Sequence, residues 1–336
     1  MKKILFVVTG GTLGMRPKGD GPLVPSEAVS DLVHFIPELE EYAQIEFDIL
    51  CNLDSTLITP DIWLKMAQRI EQVQEQRSHH GVVILHGTDT LAFSASSLSF
   101  LLPGLQIPVV VTGSQKPLAM TRSDARNNVL GALEACLDGP TEVMVFFNQS
   151  AFRGNRATKS SINDYNAFSS PNYPPLGKVG MHWEWNHDLF WPMTRRPSIA
   201  PSLPKSLPHA PLVLPWVPGL DPGDVLQNLK HQWGLVLEAY GTGNLPLSPS
   251  SREALLQFMT KGGIVCVRSQ VQEGATRLQT YQPGKELLEM GIIPAGDMTR
   301  EALVTKLMVI KSYGMSAEKA RFQLGHSWAG EMDEIA

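Results

Sequence analysis

Five short runs of apolar, largely β-branched residues recur in the first half of the chain, at 4–8, 45–50, 82–85, 109–112 and 143–147. Four of them are apolar at consecutive rather than alternate positions, and 45–50 alternates with Glu46 and Asp48. A strand that is apolar on both faces has to be covered on both, and a parallel sheet layered between helices meets that condition. The intervening segments 60–76, 91–102 and 122–137 supply such helices, with apolar residues spaced by three and four and with Asp61 and Asp124 near their starts. The expected class is therefore α/β with a parallel sheet.

Between Pro192 and Pro222 lie nine prolines, which no regular helix or central strand tolerates. Beyond them the alternation resumes, with strands expected at 212–217, 235–239 and 264–267 and helices at 223–231, 250–260 and 299–313. The organisation read from this is an N-terminal domain over 1–190, a linker over 191–211 and a smaller α/β domain over 212–336. A length of 336 residues suits two such cores.

Composition narrows the function classes. The formal charge is -5, and no run of Lys and Arg exceeds Lys2-Lys3 or Arg195-Arg196, so a phosphate-tracking surface is missing and nucleic acid is not an expected partner. Cys51, Cys136 and Cys266 are widely separated, which fits neither a disulfide framework nor a zinc knuckle and points to a reducing, cytoplasmic setting. The apolar run that follows Met1-Lys2-Lys3 is too short for a secretory leader, and no segment has the length of a membrane span. The nine histidines form no metal-binding pattern, so neither a metal nor another cofactor is expected. Charged residues make up 18%, below the norm of about 25%, which is consistent with surface buried between subunits.

In an open parallel sheet, ligands bind outside the carboxyl ends of the strands. The turns there read Thr9-Gly10-Gly11-Thr12-Leu13-Gly14-Met15, Asn52-Leu53-Asp54-Ser55, His86-Gly87-Thr88-Asp89-Thr90, Gly113-Ser114-Gln115-Lys116, and the stretch from Asn148 to Lys159. Any one of these could be a helix cap or a tight turn. Five small, polar turns at one edge favour a small-ligand site. Thr12 and Thr88 are candidate nucleophiles, Asp89 a carboxylate that orients, Lys159 a candidate base, and the backbone near Gly87 a candidate oxyanion site; together they suit hydroxyl attack on a carbonyl. The first turn lacks the dinucleotide fingerprint, and no Walker A sequence occurs. His86 reads as a packed strand-end residue. Gly325-His326-Ser327-Trp328-Ala329 imitates a serine-hydrolase elbow, but no acid-then-histidine pair follows it. Trp183, Trp185 and Trp191 read as packing residues.

Taken in order, seven segments resemble the bacterial-type L-asparaginase family, and more closely its type I, cytoplasmic branch. They are the Thr9 to Met15 turn, Val83-Ile84-Leu85-His86-Gly87-Thr88-Asp89-Thr90-Leu91-Ala92, Val111-Thr112-Gly113-Ser114-Gln115, Arg122-Ser123-Asp124, Phe152-Arg153-Gly154-Asn155-Arg156-Ala157-Thr158-Lys159, Tyr240-Gly241-Thr242-Gly243-Asn244, and Gly296-Asp297-Met298-Thr299 with Glu301-Ala302. The resemblance implies a large N-terminal parallel-sheet (flavodoxin-like) domain plus a smaller C-terminal α/β domain, assembled as homodimers or homotetramers. It implies hydrolysis of L-asparagine to L-aspartate and ammonia, with Thr12 as primary nucleophile and Thr88, Asp89 and Lys159 as a second triad. Gly11, Asp54, Ser55, Gly87 and Ser114 then become substrate-binding positions, and Asn244 completes the site from a neighbouring subunit.

Two departures stand out. Many relatives place a tyrosine in the loop after the first turn, whereas here Gly19-Asp20-Gly21-Pro22-Leu23-Val24-Pro25 has none, and Tyr281 is the candidate substitute. Arg268-Ser269-Gln270-Val271 stands where relatives often show Thr-Gln-Cys. Two alternatives remain open at this stage: a glutamine-preferring amidase, including an amidotransferase subunit, against which the position of the first motif at Thr9 argues because that subunit carries an extra N-terminal domain, and a non-catalytic asparagine sensor.

Overall fold

The computed structural model describes residues 1–17, 23–25, 32, 34–195, 202–220, 222–229 and 231–333. It divides into two compact units, Met1–Ser206 and Leu207–Ala336, which meet within the proline-rich segment. Part of the expected linker, 196–201, and most of the loop lacking a tyrosine lie outside the described residues.

The first unit is built on β1 (Lys3–Gly10), β2 (Gln44–Leu53), β3 (Gly81–Leu85), β4 (Val109–Thr112) and β5 (Val143–Phe147). These five are parallel to their neighbours, in the order β2-β1-β3-β4-β5. In chain order that is 2-1-3-4-5, the flavodoxin-like arrangement. β3, β4 and β5 are buried at every position, as their unbroken apolar runs require. Three antiparallel strands extend the sheet beyond β5: β6 (Ser150–Arg153), β7 (Gly177–Val179) and β8 (Trp183–Trp185). The sequence reading did not contain them.

The helices follow the apolar spacing. α1 (Pro60–Gln76) starts with proline in its first turn and buries Trp63, Leu64, Met66, Ala67, Ile70 and Val73 on one stripe. α2 (Leu91–Leu101) has nearly all its residues buried, four of them serines. Two of those hydroxyls turn back to carbonyls, Ser99 to Ala95 and Ser96 to Gly154. α3 (Ala125–Asp138) lies close on β5. A Cβ at Gly131 would stand 2.2 Å from the Phe146 ring, so only glycine allows that approach.

The second unit carries a parallel sheet ordered β9-β10-β11-β12, from β9 (Leu212–Pro215), β10 (Gly234–Ala239), β11 (Ile264–Ser269) and β12 (Ile293–Pro294). Its helices are α4 (Gly223–Gln227), α5 (Pro249–Thr260), α6 (Gln282–Glu289), α7 (Arg300–Ser312) and α8 (Ala317–Gly325). α4 stops after five residues, short of the expected 223–231. The core joins Trp216, Leu235, Leu237, Leu255 and Val267. No helix among the described residues is long and apolar enough to cross a membrane.

Candidate active site

In the 2-1-3-4-5 order the chain leaves β1 to one side for β2 and crosses to the other side for β3, so a crevice opens between the ends of β1 and β3. There β1 ends in Gly10 and Gly11, both at positive φ (107° and 89°). A Cβ on Gly11 would stand 2.4 Å from the Cα of Gly87, and one on Gly87 would stand 2.7 Å from the Cβ of Ser55. The turn after β1 therefore meets the turn after β3 backbone to backbone, and the Ser55 side chain closes on Gly87 from the turn after β2, at positions where any added side chain collides. Thr12 follows at once and opens the short 3-10 turn Thr12–Gly14. The Leu13 carbonyl accepts from the Leu118 amide at 3.1 Å, which ties this turn to the one after β4.

His86 fixes the turn after β3 from below. Its Nδ1 lies 2.8 Å from the Gly87 carbonyl, its Nε2 2.9 Å from Ser94 Oγ, and Trp63 Nε1 donates to the same hydroxyl at 2.9 Å. A carbonyl only accepts, so Nδ1 carries the proton and Nε2 receives the Ser94 hydroxyl. Burial pushes the imidazole down to about 4, only partly opposed by the Gly87 hydrogen bond, which leaves the ring neutral at ordinary pH. Its role is to hold the Gly87–Thr88 peptide plane.

The charged part of the site comes from a distant segment. Lys159 stands in the two-residue strand Thr158–Lys159, paired antiparallel with Phe168–Ser169. Phe168 anchors this ribbon against Phe147 at the end of β5, with ring centroids 4.9 Å apart. Lys159 Nζ then reaches Thr88 Oγ1 at 2.8 Å and Asp89 Oδ1 at 2.7 Å. Thr88 is buried, while the Asp89 side chain remains 58% exposed and that of Lys159 18% exposed. An ammonium between a hydroxyl and a carboxylate can relay a proton, given a substrate within reach.

The other expected positions are placed as follows. Ser55 is buried against Gly87, and its carbonyl accepts from Thr90 Oγ1 at 2.7 Å. Asp54 is exposed and caps the turn Ser55–Leu57, accepting from the hydroxyl and the amide of Thr56, which hold its carboxyl below the usual range. Ser114 is fully buried and its hydroxyl has no hydrogen-bond partner. Asn244 and Tyr281 belong to the second unit. Asn244 closes a turn against Tyr240, and Tyr281 immediately precedes α6 with 55% exposure.

The fifth turn needs correction. Asn148 to Lys159 is not one connection leaving the carboxyl edge, because Asn148 and Gln149 (φ 43° and 70°) form a two-residue hairpin that sends β6 back antiparallel along β5. Arg153 thereby pairs with Met144 in register and is held by Glu142 at 2.7 Å, at the other end of the strand, and only the Lys159 end of the segment joins the site. Arg268 is likewise committed, 2.6 Å from Glu238, which also accepts from Arg300 at 2.7 and 2.8 Å. At the imitation elbow, the Ser327 hydroxyl lies 3.5 Å from Glu331, whose carboxylate is paired with Lys306.

Two residues in the cluster were not among the expected site positions. Gln115 Oε1 lies 3.3 Å from Thr88 Oγ1. The Asp124 carboxylate accepts from the backbone amides of Gln115 and Lys116 and from Asn128 Nδ2 on the following helix, and it does not cap that helix's backbone. Both lie inside the family-like segments 111–115 and 122–124, Gln115 just beyond β4 and Asp124 ahead of α3. That position was the available signal. Among the described residues no group of three or more His, Cys, Asp or Glu could hold a metal ion.

The family model described as "Asparaginase, N-terminal" matches residues 3–190, and that described as "Glutaminase/Asparaginase C-terminal domain" matches residues 213–328. The chain is 35% identical to L-asparaginase 1 of Escherichia coli over 338 residues, covering 98% of each protein. The solved structure of the thermostable L-asparaginase from Thermococcus kodakarensis superposes with a TM-score of 0.89 at 33% identity, covering 98% of this chain and 99% of that one. L-asparaginase I from Vibrio cholerae gives 0.87 at 32% identity, covering 99% of both. With two domain matches that span most of its length and a glycine-lined crevice set beside a Lys-Thr-Asp cluster, this chain belongs to the asparaginase family, in its type I branch.

Proposed function

We propose that this protein hydrolyses the side-chain amide of L-asparagine, releasing L-aspartate and ammonia through an acyl-enzyme on Thr12. The observation that carries the reading is the placement of Lys159 Nζ, within hydrogen-bond reach of Thr88 and Asp89 on the turn whose Gly87 meets Gly11, next to Thr12.

The chemistry follows from these positions. Thr12 Oγ attacks the amide carbon, and its proton passes to the Thr88–Lys159 pair. The carbonyl oxygen, now negative, is held by peptide N–H groups around Gly87 and Thr88, whose plane His86 fixes. Collapse breaks the C–N bond, the nitrogen takes up the proton and leaves as ammonia, and the Thr12 ester remains. Water activated by the same pair then cleaves the ester, giving aspartate and restoring the Thr12 hydroxyl. Asp89 supports the ammonium that forms within each half-reaction, while the pair carries the proton taken from Thr12 or from water.

Asp54 suits the α-amino group, since it is exposed and its carboxylate is held ionised by Thr56. Ser55, Gly11 and Ser114 suit the α-carboxylate and the amide. The reading extends to self-association as a homodimer or homotetramer in the cytoplasm, with Asn244 of a neighbouring copy completing the pocket and Tyr281 as a candidate activator of Thr12. Neither a cofactor nor a nucleic acid is part of it.

The deciding experiment measures ammonia release from asparagine and from glutamine by the purified protein, by Thr12→Ala and by Lys159→Met. Asparagine turnover that falls by a factor of about 100 or more in both variants is expected. Binding of asparagine without ammonia release would replace the enzyme by a sensor. Preferential glutamine turnover would change the substrate, because one methylene is worth only about 1–3 kcal/mol of discrimination. Light scattering of the same preparation reads the assembly.

A further inference from the structure

Donor and acceptor counting determines which way each hydrogen points around Thr88. Gln115 Nε2 lies 3.2 Å from the Ile162 carbonyl and 3.1 Å from the Asp164 carbonyl. Carbonyl oxygens only accept, so the amide nitrogen has to face them and Oε1 has to face Thr88. An amide oxygen cannot donate either, so across the 3.3 Å contact the Thr88 hydroxyl is the donor. With its proton committed to Gln115, Thr88 Oγ1 offers Lys159 only lone pairs, and Lys159 is the donor across their 2.8 Å contact.

We infer that Gln115 is a positioning residue for the proposed reaction: it directs the Thr88 proton away from Lys159, and it fastens the loop that follows Lys159 to the same hydroxyl. The inference rests on the reading of Thr88 and Lys159 given above. Its geometric support comes from Asp124, which takes the backbone amide of Gln115 at 2.9 and 3.1 Å and is itself held by Asn128. The glutamine is therefore fixed at both ends. To accept a proton from the nucleophile, Lys159 has to give one up, and it can then be reached by the Thr88 hydroxyl only if that hydroxyl rotates off Oε1. Gln115 thus sets the balance between a resting arrangement with charged lysine and a reactive arrangement with neutral lysine.

The charged groups facing this cluster are few. Asp89 contacts Lys159 directly, and Asp124 contacts the Gln115 amide. Asp164 is engaged through its backbone carbonyl, and the Lys116 ammonium turns to the Thr121 carbonyl.

The test compares the parent with Gln115→Ala, Gln115→Glu, Thr88→Val and Lys159→Met, reading kcat, KM for asparagine and the pH at which kcat/KM is half-maximal. In Gln115→Ala we expect kcat to fall about tenfold with KM changed less than about threefold, as for the loss of one hydrogen bond in the reacting state. The half-activity pH should move down in Gln115→Ala, where the Thr88 proton is free to turn toward a neutral lysine. It should move up in Gln115→Glu, where a carboxylate beside the ammonium retains its proton. Opposite displacements are the signature of this role, since a packing defect has no reason to produce them. An unchanged half-activity pH in both variants, or displacement of both in one direction, overturns the inference. If Gln115→Ala fails to fold, as judged by thermal unfolding, Gln115→Met takes its place with the same expected outcome. Inactive Thr88→Val and Lys159→Met beside an unaltered Gln115 profile defeat the inference alone, whereas parental turnover in those two defeats the underlying mechanism.

Discussion

Lys159 in the first unit and Lys306 in the second each meet one carboxylate, at 2.7 and 2.6 Å, yet their surroundings are opposite. Lys306 and Glu331 have no exposed side-chain surface at all. Glu331 also accepts from the amides of Trp328 and Ala329, and Lys306 donates to the His326 carbonyl at 2.7 Å. Burial alone would push the Glu331 carboxyl up, but Lys306 and the two amides outweigh it and hold it below the usual range. Asp89, by contrast, keeps 58% of its side chain exposed beside a lysine that also binds a hydroxyl. A saturated, dry ion pair fastens a chain end, and a half-wet one with capacity left over can exchange protons. Similar pairs therefore suit stability in one unit and, on the proposed mechanism, chemistry in the other.

The largest stability effect should come from the sealed pair. Lys306→Met leaves Glu331 buried and uncompensated, and we expect unfolding in urea to lose about 3–5 kcal/mol. Adding Glu331→Gln should recover part of that, because the neutral side chain removes the uncompensated charge while its amide oxygen still accepts from the Trp328 and Ala329 amides. The pH dependence carries a definite sign. Since the folded carboxyl sits below its unfolded value, its stabilisation is present above about pH 4.5 and is lost as the pH falls further. A single variant that loses less than about 1 kcal/mol would remove the contrast between the units.

How much of this was legible in the sequence depends on the range of the interaction concerned. β3, β4 and β5 were readable because burial on both faces leaves an apolar run, and α1 because its first-turn proline and apolar spacing act locally. The β5–β6 hairpin was not, because Asn148-Gln149 lacks the glycine that ordinarily marks such a turn, although both residues adopt positive φ. The same omission hid the return path that separates Arg153 from Lys159. Thr88, Asp89 and Lys159 were anticipated by residue type and by resemblance, but Gln115 was passed over. Its role arises from two carbonyls nearly fifty residues downstream, and residue identity does not reveal such a long-range fit. Arg268, the first residue of the segment that departs from the relatives' Thr-Gln-Cys, is occupied by Glu238 from the neighbouring strand.

A second prediction concerns a group that the first unit buries without charge. His86 is neutral because burial lowers it to about 4, whereas an unfolded histidine titrates near 6.5. Between those values the unfolded chain binds the extra proton, so stability falls as the pH falls. The expected loss from this one group is about 2 kcal/mol between pH 7 and pH 5. Urea unfolding of the parent and of His86→Gln at both pH values isolates it, since the variant should lack that increment. Equal slopes in the two proteins would mean that His86 is protonated in the fold, which its donation through Nδ1 and acceptance at Nε2 would not allow.

The smallest stability effect should fall on the pair that the proposed mechanism uses. Asp89→Asn removes a carboxylate that water already solvates, so unfolding should change by less than about 1 kcal/mol. The same change deprives Lys159 of the carboxylate it meets among the described residues, and turnover of asparagine should fall by a factor of about 100 or more. The pair of measurements is informative because its two readouts are expected to separate: Lys306→Met should depress stability, while Asp89→Asn should depress rate and leave the melting curve nearly in place. If Asp89→Asn instead lost more than about 2 kcal/mol and kept parental turnover, Asp89 would belong with Glu331 as a structural anchor. Lys159 would then be held for packing, and the proton relay would have to run through Thr88 alone.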